Sequence, residues 1–201
     1  MFSVNENDVQ FLIDSAGQNV LINDKEMKAI ITNPLSVVLN EYEQRYIHSV
    51  QPIIQGYLVT VNNEKYLVVT ESLTKRTTKY KSLMRHCNYT LEMKGETKKV
   101  IKRDENGNPV LDKFGDPVYI TIQEESVFVP AIVDNKSFSV NLNAQMIIPQ
   151  NQITVVVQDN TVNRDRFKMN NVFSFVEKNH KVFNRDFTKR GLMILTCEST
   201  T

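Results

Sequence analysis

The sequence is short of the residues that disulfide scaffolds and redox sites need. It contains only two cysteines, Cys87 and Cys197, and no tryptophan. A secreted disulfide scaffold of this size normally carries more cysteines, so two free thiols in a reducing compartment are expected. Neither cysteine lies in a CxxC or CxxH spacing, which argues against a zinc site or a redox pair.

Glycine is also scarce, with six in 201 residues, and the motifs GxSxG, GxxxxGK[ST], HExxH and GxGxxG do not occur. The three histidines, His48, His86 and His180, have no partner at a catalytic or metal-binding spacing. His86 adjoins Cys87, but neighbouring residues of a strand point to opposite faces of the sheet. The sequence therefore predicts a protein that is not an enzyme and that needs no metal and no cofactor.

Neither sign of charge dominates, since 24 Lys and Arg against 23 Asp and Glu leave a net charge of +1. That balance provides no general attraction to nucleic acid or to an anionic membrane. No stretch approaches the ~20 apolar residues that span a bilayer. The first residues, MFSVNENDVQFLIDS, lack the positive region and apolar run of a signal peptide. A soluble protein made in the cytosol is expected.

What the sequence has in abundance is strand-like alternation. Val9, Phe11 and Ile13 alternate with Gln10, Leu12 and Asp14. Residues 153–158 and 192–196 are blocks rich in β-branched and aliphatic side chains. Helical spacing is best over residues 25–47, where Pro34 would interrupt a helix. The prediction is a mainly β chain with two small β-barrel-like modules of the SH3-like or OB-like kind, a protruding hairpin insertion and little helix. The predicted segments are an N-terminal β-hairpin over 1–34, a first barrel over 35–94, a hairpin arm over 95–126 and a second barrel over 127–201.

The predicted arm is charged and dense in turns. It contains Asn106-Gly107, the strongest short hairpin signal, and a second turn at Phe114-Gly115. Short strands are predicted over 98–103, 109–113 and 118–122. Long insertions in compact domains are usually functional or disordered. Two interpretations stay open, a solvated loop and an arm that reaches a neighbouring subunit through Asn106, Gly107, Phe114 and Gly115.

Basic residues form two clusters. The first contains Lys75, Arg76, Lys79, Lys81 and Arg85, and the second contains Lys98, Lys99, Lys102 and Arg103. On an OB-like barrel, charge beside Tyr80 and Tyr89 would suit binding of single-stranded nucleic acid. A solvated, charged edge strand explains the same pattern.

Two segments carry a more specific pattern. In residues 56–93 a hairpin leads into a strand that ends in CNYTL, at residues 87–91. Residues 164–199 run from RDRFKMNN to HKVFNRDFTKRGLMILTCES. These two segments resemble head-closure (stopper) and neck connector proteins of tailed bacteriophages of Gram-positive hosts. The chain departs from the pattern at Gly56-Tyr57, where Gly-Asp is usual, and at His180-Lys181-Val182, where Tyr-Lys-Val is typical.

The resemblance implies a virion structural protein at the head-to-tail interface. Such proteins form a homo-oligomeric ring, often twelvefold, that joins the portal and adaptor to tail-completion proteins and retains packaged DNA. Contact with DNA would be non-specific, and no membrane is involved. The nine basic residues above would then be candidates for facing the DNA in the channel. The alternative function is a single-stranded nucleic-acid-binding β-barrel protein.

Overall fold

The computed structural model describes residues 6–34, 43–76, 79–95, 97–139 and 146–200. Among the described residues 55% are strand and 9% are helix, with two barrel-like sheets, so the prediction of a mainly β fold is confirmed. The elements over the described ranges are α1 (Glu6–Ala16), β1 (Gln18–Ile22), β2 (Lys25–Thr32), β3 (Gln44–Ser49), β4 (Leu58–Val61), β5 (Glu64–Val68), β6 (Leu73–Arg76), β7 (Lys79–His86), β8 (Tyr89–Met93), β9 (Thr97–Ile101), β10 (Tyr119–Gln123), β11 (Val127–Asp134), β12 (Gln152–Gln158), α2 (Thr161–Arg166), β13 (Val172–Phe175), β14 (Lys178–Asp186) and β15 (Leu192–Thr200).

The first element is a helix where the sequence predicts a strand. Val9 and Ile13 lie four residues apart on one face of α1 and are buried, whereas Phe11 is 70% exposed. Three alternating apolar residues are too few to distinguish a period of two from one of 3.6, so the strand prediction is wrong here. The predicted hairpin within 1–34 is present as β1 and β2, which pair from Gln18 to Ala29.

The first sheet closes into a barrel. Its order is β3-β2-β1-β4-β5-β7-β6, and β3 also pairs with β7, which completes a ring of six antiparallel strands. Residues 25–47 are the best helix candidate of the sequence, but their described parts, 25–34 and 43–47, contribute β2 and most of β3 instead. Residues 35–42 lie outside the described residues. The barrel interior is filled by Val20, Ile22, Ala29, Ile47, Ile53, Val59, Val61, Tyr66, Val68 and Met84.

The second sheet has the order β13-β14-β15-β12-β11-β8. Its two end strands lie side by side, and the rings of Tyr89 and Phe175 meet edge to face across them at 4.7 Å. The strand β8, within the residues predicted for the first barrel, pairs with β11 of this second sheet. The domain bounds themselves stay a prediction.

A third apolar cluster joins the outer surfaces of the two barrels. It combines Leu67, Val69, Leu83 and Cys87 with Ile132, Val156 and Leu192. Strands that are buried on both faces read as continuous apolar runs, and two such runs, YLVV at 66–69 and TVVV at 154–157, supply part of this cluster. The two barrels are therefore packed against each other through a shared core.

Polar contacts complete the junction between the barrels. The guanidinium of Arg85 donates to Glu43 at 3.0 Å and to Asp134, on β11, at 3.1 Å. The amide of Gln158 donates to the carbonyl of Gly56 at 2.9 Å. An ion pair and a side-chain-to-backbone bond thus link the first sheet to the second.

Candidate functional site

The most exposed feature of the fold is a β-ribbon that grows out of the second barrel. Beyond Met93 and before Val127 the paired strands β8 and β11 give way to β9 and β10, which pair only with each other. Gly95 lies between β8 and β9, where a Cβ atom would stand 1.9 Å from the carbonyl oxygen of Glu124. No other residue fits this close approach without displacing the backbone. Residues 97–123 are called the arm below.

The lower half of the arm, residues 97–103 and 117–123, is called the shaft. One of its faces carries Val100, Ile120 and Ile122, with Lys98 opposite Ile122. The other face carries Lys99 and the cross-strand pair of Ile101 and Tyr119. Ile122 is 47% exposed and Tyr119 is 58% exposed. The shaft contains four basic residues and no acidic residue, so it is an exposed, apolar and positively charged ribbon.

The upper half of the arm contains most of a tandem repeat of eight residues, DENGNPVL at 104–111 and DKFGDPVY at 112–119, whose last three residues belong to the shaft. In each copy the first aspartate accepts hydrogen bonds from two backbone amides of its own turn. Asp104 accepts from Asn106 and Asn108, and Asp112 accepts from Phe114 and Asp116. Gly107 and Gly115 occupy the same place in the two turns, with φ of 81° and 89°.

This repeat is a signal in the sequence that predicts two turns of the same kind, which the separate turns at Asn106-Gly107 and Phe114-Gly115 do not convey. The predicted strands 98–103 and 118–122 correspond to β9 and β10. The predicted strand 109–113 is wrong, because residues there form only the isolated bridges Arg103 to Pro109 and Leu111 to Pro117. Two tight turns leave too few residues between them for a regular ladder. The tip residue Phe114 is 78% exposed.

A charged network fixes the base of the arm. The carboxylate of Glu124 receives the ammonium of Lys98 at 2.5 Å and the guanidinium of Arg166, at the end of α2, at 3.1 Å. The hydrogen bond from Lys98, with the charges of both cations, lowers the pKa of Glu124. Arg166 also donates to the carbonyl of Glu125 at 3.4 Å. These contacts join the shaft to the second barrel and so set the direction of the arm.

The structure places all four residues of the second basic cluster on one ribbon. Lys98, Lys99, Lys102 and Arg103 are exposed on the shaft. Lys79 and Lys81 are exposed on β7 of the first barrel, and the ammonium of Lys81 lies 3.5 Å from the centre of the Tyr46 ring. Whether any of these residues contacts DNA stays a prediction.

Within the first cluster, Arg85 is buried. Arg85 is 9% exposed and bound to two carboxylates, so the expectation that it lies on an exposed basic face is wrong. The reason is its place on the strand face that meets the second barrel. Lys75 and Arg76 belong to β6 by their backbone, and their side chains lie outside the described part of the structure.

The two thiols of the chain are internal. Cys87 and Cys197 are free and buried, and desolvation raises the pKa of each thiol to about 12. The ring of His86 packs edge to face on Tyr66 at 5.2 Å. Within the described ranges, no three His, Cys, Asp or Glu side chains are grouped so that they could hold a metal ion. No helix in those same ranges has the length and apolar character to cross a membrane.

Comparison with known proteins gives one informative match. No curated protein matches the sequence. Among solved structures, the complex of K. pneumonia MrkH with c-di-GMP is similar over 98% of this chain and 86% of that chain, at 8% identity and a TM-score of 0.21, and this value carries no inference. A family profile, the YomX C-terminal domain, matches residues 20–198, which include both barrels and the arm. The chain therefore belongs to the YomX C-terminal domain family, a family whose name is associated with a Bacillus prophage.

Proposed function

We propose that this chain is a structural subunit of the head-to-tail interface of a tailed phage. It forms a ring that joins the portal and adaptor to the tail and retains packaged DNA, and it acts through its surfaces without catalysis. The observation that carries the proposal is the arm, an exposed ribbon anchored rigidly at its base by Glu124. Membership of a phage-associated family supports the same class of protein.

The arm is built for a contact outside its own chain. An isolated two-stranded ribbon is marginally stable in water, and three strands or packing against another element are needed for independent stability. All five residues of β10 are exposed, including Tyr119, Ile120 and Ile122. Contiguous exposed apolar residues mark interaction sites on soluble proteins. A neighbouring subunit that covers the shaft would supply the missing partner.

A ring places two different surfaces of each subunit in contact, because head-to-tail interfaces generate closed rings when the rotation closes. The closed first barrel has few free sheet edges, which limits unplanned strand pairing. The arm supplies a directed contact instead. Near-neutral net charge also suits a channel protein, because DNA must be held and then released.

The test uses the phage or prophage that encodes the chain. Purified virions are probed with antibodies against the protein and imaged by cryo-electron microscopy, and density in the neck is expected. The gene is then replaced by one in which a short Gly-Ser linker substitutes for residues 97–123. Since the arm is exposed, this variant is expected to fold, with a melting temperature close to that of wild type, and to yield DNA-filled heads without tails.

The outcomes separate clearly. A matched control is K189E/R190E, which changes two exposed basic residues of the loop before β15 and is expected to give normal particles. Absence of the protein from purified virions would overturn the proposal. Normal tailed particles with the arm replaced, at normal plaque titre, would show that the arm has no part in joining head and tail.

A further inference from the structure

Besides the arm, the first barrel contains a group of neighbouring strands that carries charge of one sign only. The strand β7 pairs with β3 on one side and with β6 on the other. Together these strands contain six lysine and arginine residues, one on β3, two on β6 and three on β7, and no aspartate or glutamate. In a chain whose net charge is only +1, such a group concentrates positive charge on one part of the surface.

The alternation of side chains along β7 decides which of these charges reach solvent. Met84 lies in the core of the first barrel, so the odd-numbered residues of β7 point outward. Leu83 and Arg85, towards the end of the strand, are covered by the second barrel. Lys79 and Lys81, towards its start, lie beyond that contact and are exposed. The second barrel therefore covers one end of this outer face and leaves the two lysines at the other end in solvent.

The two lysines share the outer face with His48 of β3. His48 lies directly opposite Lys81 in the ladder, and burial, followed by the positive charges of Lys79 and Lys81, lowers the pKa of His48. Neither lysine forms an ion pair with any described residue. Arg76 lies opposite Lys79 in the ladder between β6 and β7. Because like charges opposite one another destabilise a sheet, strands that place cations in this way and contain no carboxylate suit an anionic ligand.

The tyrosines near these lysines are covered or turned away. The ring of Tyr46 lies under the ammonium of Lys81, at 3.5 Å, and packs against the apolar cluster between the barrels. Tyr80 lies between the two lysines in the sequence and so points to the opposite side of β7. Tyr89 is on the second barrel, against Phe175. Proteins that bind single strands stack bases on exposed aromatic rings, so this face offers charge to phosphates and no platform to bases.

We infer that the outer face of β3 and β7, through Lys79 and Lys81, binds the phosphate backbone of double-stranded DNA without reading its bases. Phosphates carry the charge that cations without an acidic partner attract, and contacts to them are independent of sequence. A duplex keeps its bases stacked inside, so it needs no aromatic platform. The inference rests on the proposed ring and deepens it, because it assigns the surface that turns towards packaged DNA, whereas the arm contacts the neighbouring subunit.

The test is the binding of the full chain to DNA in solution. Fluorescence anisotropy of a labelled 30-base-pair duplex gives the affinity between 50 and 200 mM salt, because each phosphate contact contributes a slope of about −0.9 to a plot of log K against log salt concentration. Wild type is expected to bind two duplexes of unrelated sequence within twofold of each other, with a Kd on the order of 10⁻⁶ to 10⁻⁴ M. A single strand of the same length is expected to bind more weakly. The variant K79Q/K81Q is expected to reduce the slope by about 1.8.

Variants of equal charge separate this face from the rest of the molecule. Three variants each replace two exposed basic residues by glutamate, namely K79E/K81E on β7, K99E/K102E on the shaft and K189E/R190E in the loop before β15. Only the variant on β7 is expected to weaken duplex binding at least tenfold at 50 mM salt, and the other two are expected to stay within threefold of wild type. The melting temperature of each variant is recorded, and it is expected to stay near that of wild type because the replaced side chains are exposed.

Four results would each overturn the inference. They are a wild type that does not bind the duplex at 100 µM protein and 50 mM salt, equal losses in the three glutamate variants, an unchanged salt slope in K79Q/K81Q, and tighter binding of the single strand than of the duplex. Equal losses would mean that binding follows the net charge of the chain. Tighter binding of the single strand would mean that bases are contacted directly.

The inference and the proposed function fail in different ways. Protein present in the neck of virions, with no affinity for duplex DNA in solution, overturns the inference and leaves the proposed function standing. Duplex binding that depends on Lys79 and Lys81, with no protein in virions, overturns the proposed function alone.

Discussion

The ion pair at the junction of the two barrels allows a quantitative prediction. Arg85 is 9% exposed, and its guanidinium holds Glu43 and Asp134 together. Replacing Arg85 with methionine keeps much of the apolar volume but leaves two carboxylates without their cation. Removal of one partner from a buried pair costs about 3–5 kcal/mol. The side chains of Glu43 and Asp134 are 40% and 23% exposed, so water screens part of this cost, and a loss of about 2–3 kcal/mol in the free energy of unfolding is expected.

The assay is unfolding in urea followed by circular dichroism. With a slope of roughly 2 kcal/mol per molar urea, the midpoint of R85M is expected to fall by about 1–1.5 M. In a thermal scan each kcal/mol shifts the melting temperature of a chain of this size by roughly 2–4 °C. The exposed residue Arg190 provides the control R190M, for which a change within about 0.5 kcal/mol is expected.

The double variant R85M/D134L separates the loss of the cation from the cost of a stranded carboxylate. Because it removes Asp134 together with Arg85, it is expected to be more stable than R85M. A loss in R85M no larger than that of R190M, or a double variant less stable than R85M by the full cost of D134L, would refute the reasoning.

Two further predictions concern the backbone at the junction and the response to pH. At Gly56, φ is 89° and a Cβ atom would lie 2.0 Å from the carbonyl oxygen of Gly191, so G56A is expected to lose more than about 2 kcal/mol in the free energy of unfolding in urea. Gly107 has φ of 81° with open space around it, so G107A is expected to lose only about 1 kcal/mol. Equal losses in the two variants would contradict this explanation. Burial lowers the pKa of His48 and of His180 from 6.5, so the unfolded chain binds more protons than the folded chain below that pH, and the free energy of unfolding is expected to decline as the pH falls. The urea midpoint at pH 7.5 and 5.5 measures this decline. The variant H180Q is expected to reduce the difference between the two midpoints, and an unchanged difference would remove His180 from the explanation.

The strands were predictable because their signals are local. Asn62-Asn63 marks a hairpin in the sequence, and both residues adopt positive φ in the turn between β4 and β5. A second turn of this kind lies at Val176 and Glu177, which also have positive φ. The register of β13 and β14 places it there, since the pairing of Phe175 with Lys178 leaves two residues for the turn.

The candidate site was predictable in part. Turn density and charge marked residues 95–126 as an arm, and the arm is present with Asn106, Gly107, Phe114 and Gly115 at its two exposed turns. The base of the arm depends on the close approach of Gly95 to Glu124, a residue 29 positions further along the chain. No local pattern reports such a contact. The same holds for Arg85, which belongs to a basic run in the sequence and to a buried ion pair in the fold.

The sequence by itself determined that the chain is mainly β, where several of its turns lie, and that the arm is polar and rich in turns, because alternation, β-branched residues and turn residues act over a few positions. Tertiary structure alone decided that β8 joins the second sheet, that β3 closes the first barrel on β7, and that Arg85 is buried. Those outcomes depend on which distant surfaces pack together. Long-range packing also leaves Tyr119, Ile120 and Ile122 of the shaft exposed among the described residues, which is the observation on which the proposed contact with a neighbouring subunit rests.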